Sequence, residues 1–151
     1  MLALRTRMAG MTWVTDREPQ VSRLFGELIP EAEVLAPGEL EARLALGQRP
    51  DALVIDGTQL LELPTRLRAD LLRLPRLLVC TGMLLASMPG DLVSRPGVAV
   101  LAKPFCVEDL EAAVDWVRGT PTRLPAEGPA FGALIQRRRG HRARRGTVPG
   151  Q

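Results

Sequence analysis

Four polar side chains with useful chemistry each follow a short apolar run of the sequence. They are Asp16, Asp56, Thr81 and Lys103. A carboxylate can attack a phosphoryl group or bind a magnesium ion, and an ammonium or hydroxyl group can bind phosphoryl oxygens. If the fold brings these four side chains together, their chemistry suits the acceptance or binding of a phosphoryl group.

The elements that must position these side chains alternate along the chain between strand-like and helical patterns. Short apolar runs predict strands at residues 11–15, 32–36, 52–55, 77–80 and 98–102. Apolar spacings of three and four residues predict helices at residues 19–29, 40–45, 60–74 (interrupted by Pro64) and 107–118. Unbroken apolar strands alternating with helices indicate a parallel sheet that is covered on both faces. We therefore predict a doubly wound α/β fold, a five-stranded parallel sheet sandwiched by helices.

This fold class predicts where a ligand binds. In doubly wound sheets the site lies at the carboxyl ends of the central strands. All four polar side chains stand at such ends, so we expect them to converge on one crevice.

The composition argues against several other kinds of function. Aromatic residues make up only 3% of the chain and tyrosine is absent, so a stacking platform for bases is not expected. Two cysteines and a single histidine, His141, provide little material for a zinc site or a Cys–His pair. The sequence also lacks the glycine-rich loops G-x-x-x-x-G-K-[ST] and G-x-G-x-x-G. We therefore do not expect an enzyme.

No targeting signal is evident in the sequence. No apolar run reaches the length of a transmembrane segment, and the residues up to Met11 lack the apolar block of a secretory signal. These observations predict a cytoplasmic protein with reduced thiols.

The net charge of +3 averages two different regions. From Arg118 onward there are eight arginines and one acid, whereas the preceding residues carry a net charge of −4. We predict a flexible N-terminal extension at 1–10, a folded domain at 11–118, and a Pro/Gly/Arg-rich tail at 119–151 that is disordered. The arginines of the tail suggest binding to nucleic acid or an anionic surface, and a solvated end without a ligand is the alternative.

Four short motifs resemble the receiver domain of two-component response regulators over residues 11–118. They are V-T-D-R-E-P around Asp16, P-D-A-L-V-I-D ending at Asp56, V-C-T-G around Thr81, and L-A-K-P-F around Lys103. The chain contains nineteen arginines and one lysine, and that lysine stands at the position where the family has its own. The resemblance implies the flavodoxin-like fold of receivers.

The resemblance also implies roles for individual residues. Asp56 would accept a phosphoryl group from a histidine kinase, and Thr81 and Lys103 would bind the phosphoryl oxygens. A magnesium ion would be held by Asp16, Asp56 and the backbone carbonyl of Thr58. The peptide bond before Pro104 would be cis.

Several residues depart from the family pattern. Arg17 replaces the second acid of the Asp-Asp pair, Val100 replaces an aromatic residue, and the segment 87–92 is too rich in Pro and Gly for a good helix. A positive charge about 5 Å from a divalent cation costs about 6 kcal/mol at an effective dielectric near 20. Arg17 must therefore turn to solvent, weaken magnesium binding, or replace part of the charge of the metal. Glu18 offers a substitute carboxylate, although in the family that position points elsewhere.

Two interpretations of the resemblance follow. In the first, the chain is a pseudo-receiver, a protein-interaction switch with a weakened magnesium and phosphoryl site. In the second, it is a single-domain response regulator that is phosphorylated on Asp56. The expected partners are a histidine kinase or another signalling protein. A homodimer and an unrelated doubly wound fold remain open at this point.

Overall fold

The computed structural model describes residues 6–82, 88–93, 95–119 and 130–131. The strands are β1 (Thr6–Thr15), β2 (Ala32–Val34), β3 (Gln48–Asp56), β4 (Arg76–Thr81), β5 (Val98–Ala102) and β6 (Ala130–Phe131). The helices are α1 (Pro19–Leu28), α2 (Pro37–Ala45), α3 (Gly57–Glu62), α4 (Thr65–Leu71), α5 (Gly90–Val93) and α6 (Val107–Val117).

The strands form one parallel sheet in the order β2-β1-β3-β4-β5-β6. The first five have the order 2-1-3-4-5 of the flavodoxin-like doubly wound fold, in which the order of the strands across the sheet reverses between β1 and β3. The predicted fold class is therefore confirmed. The position of the reversal matters because ligand sites of this fold lie there, outside the carboxyl ends of the strands.

The sheet extends beyond the predicted strands at three places: β1 and β3 begin earlier, at Thr6 and Gln48, and a sixth strand is added. β1 begins at Thr6, inside the segment 1–10 that was expected to be a flexible extension, because residues 6–8 pair with the first three residues of β3. β6 lies inside the tail expected to be disordered, and it pairs with Val100 and Leu101 of β5. The remaining residues of the tail, from 120 to 129 and after 131, lie outside the described residues.

Two hydrophobic layers cover the sheet. One contains Trp13, Leu53 and Leu77 of the strands together with the apolar faces of α2 to α5. The other contains Val14 and Val54 together with the apolar faces of α1 and α6. Consecutive strand residues thus face opposite layers and both faces are apolar, which explains the unbroken apolar runs in the sequence.

Proline and glycine residues set the helix boundaries. Pro19 and Pro37 begin α1 and α2, where the missing backbone N–H costs nothing. Pro64 separates α3 from α4, as the interrupted pattern predicted. Gly47, with a φ of 81°, turns the chain from α2 into β3 in a conformation that favours glycine.

Among the described residues of the segment that the sequence marks as a poor helix, the helix α5 begins at Gly90 and is only four residues long. None of the helices in the described part of the chain is long and apolar enough to cross a membrane.

Candidate functional site

The strand registers bring the predicted site residues to one edge of the sheet. Thr15 pairs with Ile55, so the residues that follow them, Asp16 and Asp56, lie side by side. Asp56 in turn pairs with Cys80, the residue before Thr81. The convergence expected from the sequence therefore occurs, and it results from parallel pairing of strands that end at almost the same level.

Lys103 reaches this edge from the end of β5. Thr81 pairs with Ala102, the last residue of β5, and the Thr81 carbonyl accepts a hydrogen bond of 2.8 Å from the Lys103 N–H. The peptide bond between Lys103 and Pro104 is cis, as the resemblance implied. The backbone after β5 thus holds the base of the lysine beside β4, and its side chain extends towards β1 and β3.

The Lys103 ammonium lies among three carboxylates. Its Nζ is 3.0 Å from Asp16 Oδ2, 3.0 Å from Asp56 Oδ1 and 3.1 Å from Glu18 Oε1. The Asp16 and Asp56 side chains are only 2% and 11% exposed, whereas that of Glu18 is 51% exposed. One lysine therefore links the ends of β1 and β3 to the loop before α1.

Burial and ion pairing act on these groups in opposite directions. Burial disfavours the Lys103 ammonium, but its hydrogen bonds to Asp16, Asp56 and Glu18 outweigh this cost and raise the pKa of Lys103 above its usual range. Burial raises the pKa of Asp16, although the Glu18 N–H and Lys103 favour the carboxylate. Lys103 is thus held firmly in its charged form at neutral pH.

Asp56 also begins α3. Its Oδ2 accepts a hydrogen bond of 3.0 Å from the backbone N–H of Gln59, as a helix-capping aspartate does. The same side chain therefore both caps the helix and contacts Lys103. The cap holds Oδ2, so Oδ1 is the oxygen that faces the lysine.

Gln59 was not identified by the sequence analysis. It is buried, and its backbone N–H donates the capping hydrogen bond to Asp56. Its side-chain Nε2 donates a hydrogen bond of 3.0 Å to the Thr15 hydroxyl on β1. Its position three residues after a strand-ending aspartate was a signal for the capping contact. The link to Thr15, 44 residues away, was visible only in the fold.

Thr81 is buried beside the residue that follows Asp56. A Cβ added at Gly57 would lie 2.8 Å from Thr81 Cβ and 2.9 Å from its hydroxyl oxygen. Gly57 therefore permits the end of β3 to approach the end of β4 closely. This approach places the Thr81 hydroxyl at the same edge as Asp56.

The Arg17 side chain points away from the site, and the Glu18 side chain points into it. The Arg17 guanidinium is about half exposed and pairs with Glu62 of α3 at 3.3 Å, so it turns to solvent, which is one of the three outcomes considered. Glu18, at a position that points elsewhere in the family, reaches Lys103 here. The lysine gives its carboxylate a charged partner inside the site, where the sequence offered Glu18 as a substitute carboxylate.

Magnesium has no ready site in this arrangement. Lys103 Nζ occupies the space between Asp16 and Asp56 that a shared cation would need. Within the ranges that the structure describes, no group of three His, Cys, Asp or Glu side chains is arranged to hold a metal ion. The residues as placed therefore do not fit magnesium, and the ligand set of Asp16, Asp56 and the Thr58 carbonyl stays a prediction.

Comparisons with known proteins add the following. No protein-family model and no curated protein matches the chain. Among solved structures, the chain is similar to a response regulator receiver domain protein from Bacillus halodurans C-125. The TM-score is 0.48 and the identity 21%, over 74% of this chain and 97% of that protein. Strand order and register alone establish the doubly wound parallel fold.

A solvent-open pocket lies over the site. It has a volume of about 530 Å³, and its walls include Glu18, Asp56, Thr58, Lys103 and Phe105. Thr58 therefore borders the same space as Asp56 and Lys103. The pocket gives a molecule from solvent a path to Asp56 and Lys103.

Proposed function

We propose that this chain is an atypical receiver-like signalling module of a two-component phosphorelay that acts mainly through protein contacts, with a weakened magnesium and phosphoryl site. Two features support the proposal. The sheet has the strand order 2-1-3-4-5. Four side chains that the family resemblance singles out, Asp16, Asp56, Thr81 and Lys103, meet at its carboxyl edge.

The contacts of Lys103 support the proposed weakness of the magnesium and phosphoryl site. The Lys103 ammonium is engaged by three carboxylates of its own chain, while Arg17 replaces the second acid. A magnesium ion would have to displace the ammonium from the two aspartates, and a phosphoryl group would have to compete with them for it. The cost of separating a buried charge from its partners opposes both events.

Phosphorylation on Asp56 is the second candidate. The open pocket favours it, because Asp56 and Lys103 both line a space that is accessible from solvent. Asp56 Oδ1 would attack the phosphorus of a phosphohistidine, forming an O–P bond as the P–N bond breaks and its electron pair returns to the imidazole. In that case the partner is a histidine kinase, and Lys103 must release one carboxylate to bind the phosphoryl oxygens.

The two candidates are separated by intact-mass measurement after incubation with acetyl phosphate and magnesium. A conventional receiver serves as the positive control, and the Asp56→Asn variant shows whether any adduct is on Asp56. The proposal expects little or no adduct on the folded wild-type chain under conditions that phosphorylate the control. A stoichiometric adduct that disappears in Asp56→Asn would replace the proposal with the second candidate.

A further inference from the structure

The hydrogen-bonding capacity of Lys103 is already in use. An ammonium group has three N–H donors and no acceptor. Asp16, Asp56 and Glu18 each place a carboxylate oxygen within 3.0–3.1 Å of Nζ. In this arrangement every donor has a carboxylate partner, so an incoming anion can bind Lys103 only if one of the three leaves.

The three carboxylates differ in how firmly they are held. Asp16 also accepts the Glu18 N–H at 2.9 Å, Asp56 also accepts the Gln59 N–H at 3.0 Å, and both side chains are almost fully buried. The Glu18 side chain is about half exposed. Its carboxylate has one further contact among the described residues, a hydrogen bond of 3.4 Å from Gln20. Glu18 is therefore the partner that is most easily displaced, since exposed ion pairs contribute little.

The position of Glu18 links this exchange to the pocket. Glu18, Asp56 and Lys103 line the same open space of about 530 Å³. Asp16 does not line the pocket but contacts the same ammonium. The three carboxylates and the ammonium together carry a formal charge of −2, which repels an entering anion. Removing the charge of Glu18 would reduce this repulsion and weaken the hydrogen bond that occupies one donor of Lys103.

We propose that Glu18 is a gating residue whose carboxylate occupies the donor of Lys103 that a tetrahedral oxyanion would use. The oxyanion is either a phosphoryl group carried by Asp56 or free inorganic phosphate in the pocket. This inference rests on the proposed function, because it attributes the weakness of the phosphoryl site to one exchangeable side chain.

The single lysine of the chain makes a direct test practical. Full-length protein grown with 13C-labelled lysine yields one Cε resonance, that of Lys103. Inorganic phosphate is titrated into the wild type and into Glu18→Gln. Glu62→Gln is the matched control, because it removes an equally exposed carboxylate that pairs with Arg17 instead of Lys103. Both variants change surface residues, and amide spectra verify their folding.

We expect Glu18→Gln to bind phosphate about threefold to fivefold more tightly than the wild type, because the exposed ion pair that it loses contributes little. Glu62→Gln should stay close to the wild type. Equal binding by all three proteins would overturn the gate, as would an equal gain in both variants, which would show a general charge effect. Weaker binding by Glu18→Gln would also overturn it.

Acetyl phosphate distinguishes the two sources of oxyanion. If Glu18→Gln forms a phosphoryl adduct that Asp56→Asn abolishes in the same background, the gate acts on phosphorylation. If Glu18→Gln binds free phosphate without forming an adduct, the gate is supported for a free anion only. A stoichiometric adduct on the wild type would contradict the proposed weakness, while the phosphate titration would still decide the gate independently.

Discussion

Lys103 shows how one residue type determines the character of the site. An ammonium is a compact charge whose three donors can turn towards partners on different strands, whereas a guanidinium needs a planar arrangement of acceptors. The chain uses arginine for all nineteen of its other basic side chains. The contacts of Lys103 with Asp16, Asp56 and Glu18 supply a reason for the exception, since these acceptors surround a point instead of lying in a plane.

Arg17 provides a test at the same scale. Replacing Arg17 by Asp adds a carboxylate near Asp16 and removes a positive charge. We expect magnesium to bind about tenfold more tightly, about 1.4 kcal/mol. This gain is much smaller than the Coulomb figure for direct contact because the guanidinium already faces solvent and Glu62. Titration followed by the fluorescence of Trp13, which is buried three residues before Asp16, measures the change.

The control for this test is Arg23→Asp, on the exposed side of α1. It makes the same change of charge without entering the motif before Pro19. Unchanged magnesium affinity in Arg17→Asp, or an equal gain in Arg23→Asp, would show that Arg17 is not the cause of weak binding.

At the scale of elements, the start of α3 connects the site to the fold. Asp56 ends β3 and caps α3, and Gly57 permits the contact with Thr81 of β4. Gln59 then ties α3 to Thr15 of β1. The first turn of α3 therefore contacts the ends of β1, β3 and β4 at the carboxyl edge. A change at Asp56 would act on the other two strands through these contacts.

Gly57→Ala tests this close approach. The new Cβ would overlap the Thr81 side chain at 2.8 Å, so we expect the free energy of unfolding to fall by about 1–3 kcal/mol. Gly38→Ala is the matched control, because it lies in the first turn of α2 with no heavy atom within 4 Å of the added Cβ. Denaturation with urea measures both variants. Equal stabilities of the two would mean that β3 and β4 do not depend on the glycine.

At the scale of the whole molecule, the charge is divided between an acidic body and a basic tail. Most of the tail lies outside the described residues, so its binding to nucleic acid or an anionic surface stays a prediction. Homodimer formation and cytoplasmic location likewise stay predictions. Within the body, the buried charges of the site affect the stability of the entire domain, because removing a proton from Lys103 in the folded state abolishes its charge interactions with three carboxylates.

Alkaline pH tests the contribution of Lys103 to stability. Its pKa in the folded protein lies above its ordinary value of 10.5, so its stabilisation is complete below pH 10.5 and is lost as the pH rises further. We expect the free energy of unfolding to fall as the pH rises above about 10.5, more steeply in the wild type than in Lys103→Met. Denaturant titrations at each pH measure the two slopes.

Cys80, which is present in both the wild type and Lys103→Met, also lowers the free energy of unfolding as the pH rises. Burial raises the pKa of its thiol above the ordinary 9.0, so the unfolded chain loses this proton first and stability falls with rising pH. The difference between wild type and Lys103→Met cancels this effect. Parallel slopes in the two proteins would show that Lys103 does not contribute as argued.

The sequence alone predicted the alternation of the first five strands with helices and the residues at the strand ends. Apolar periodicity and proline positions are local properties, so they predicted the parallel sheet, the break at Pro64 and the convergence of Asp16, Asp56, Thr81 and Lys103. Only the tertiary structure decided which charges pair. Glu18 and Lys103 are 85 residues apart, and their contact depends on strand register and on the space that each side chain finds. The outward turn of Arg17, the link from Gln59 to Thr15 and the pairing of β6 with β5 depend in the same way on packing between distant segments, which no local pattern encodes.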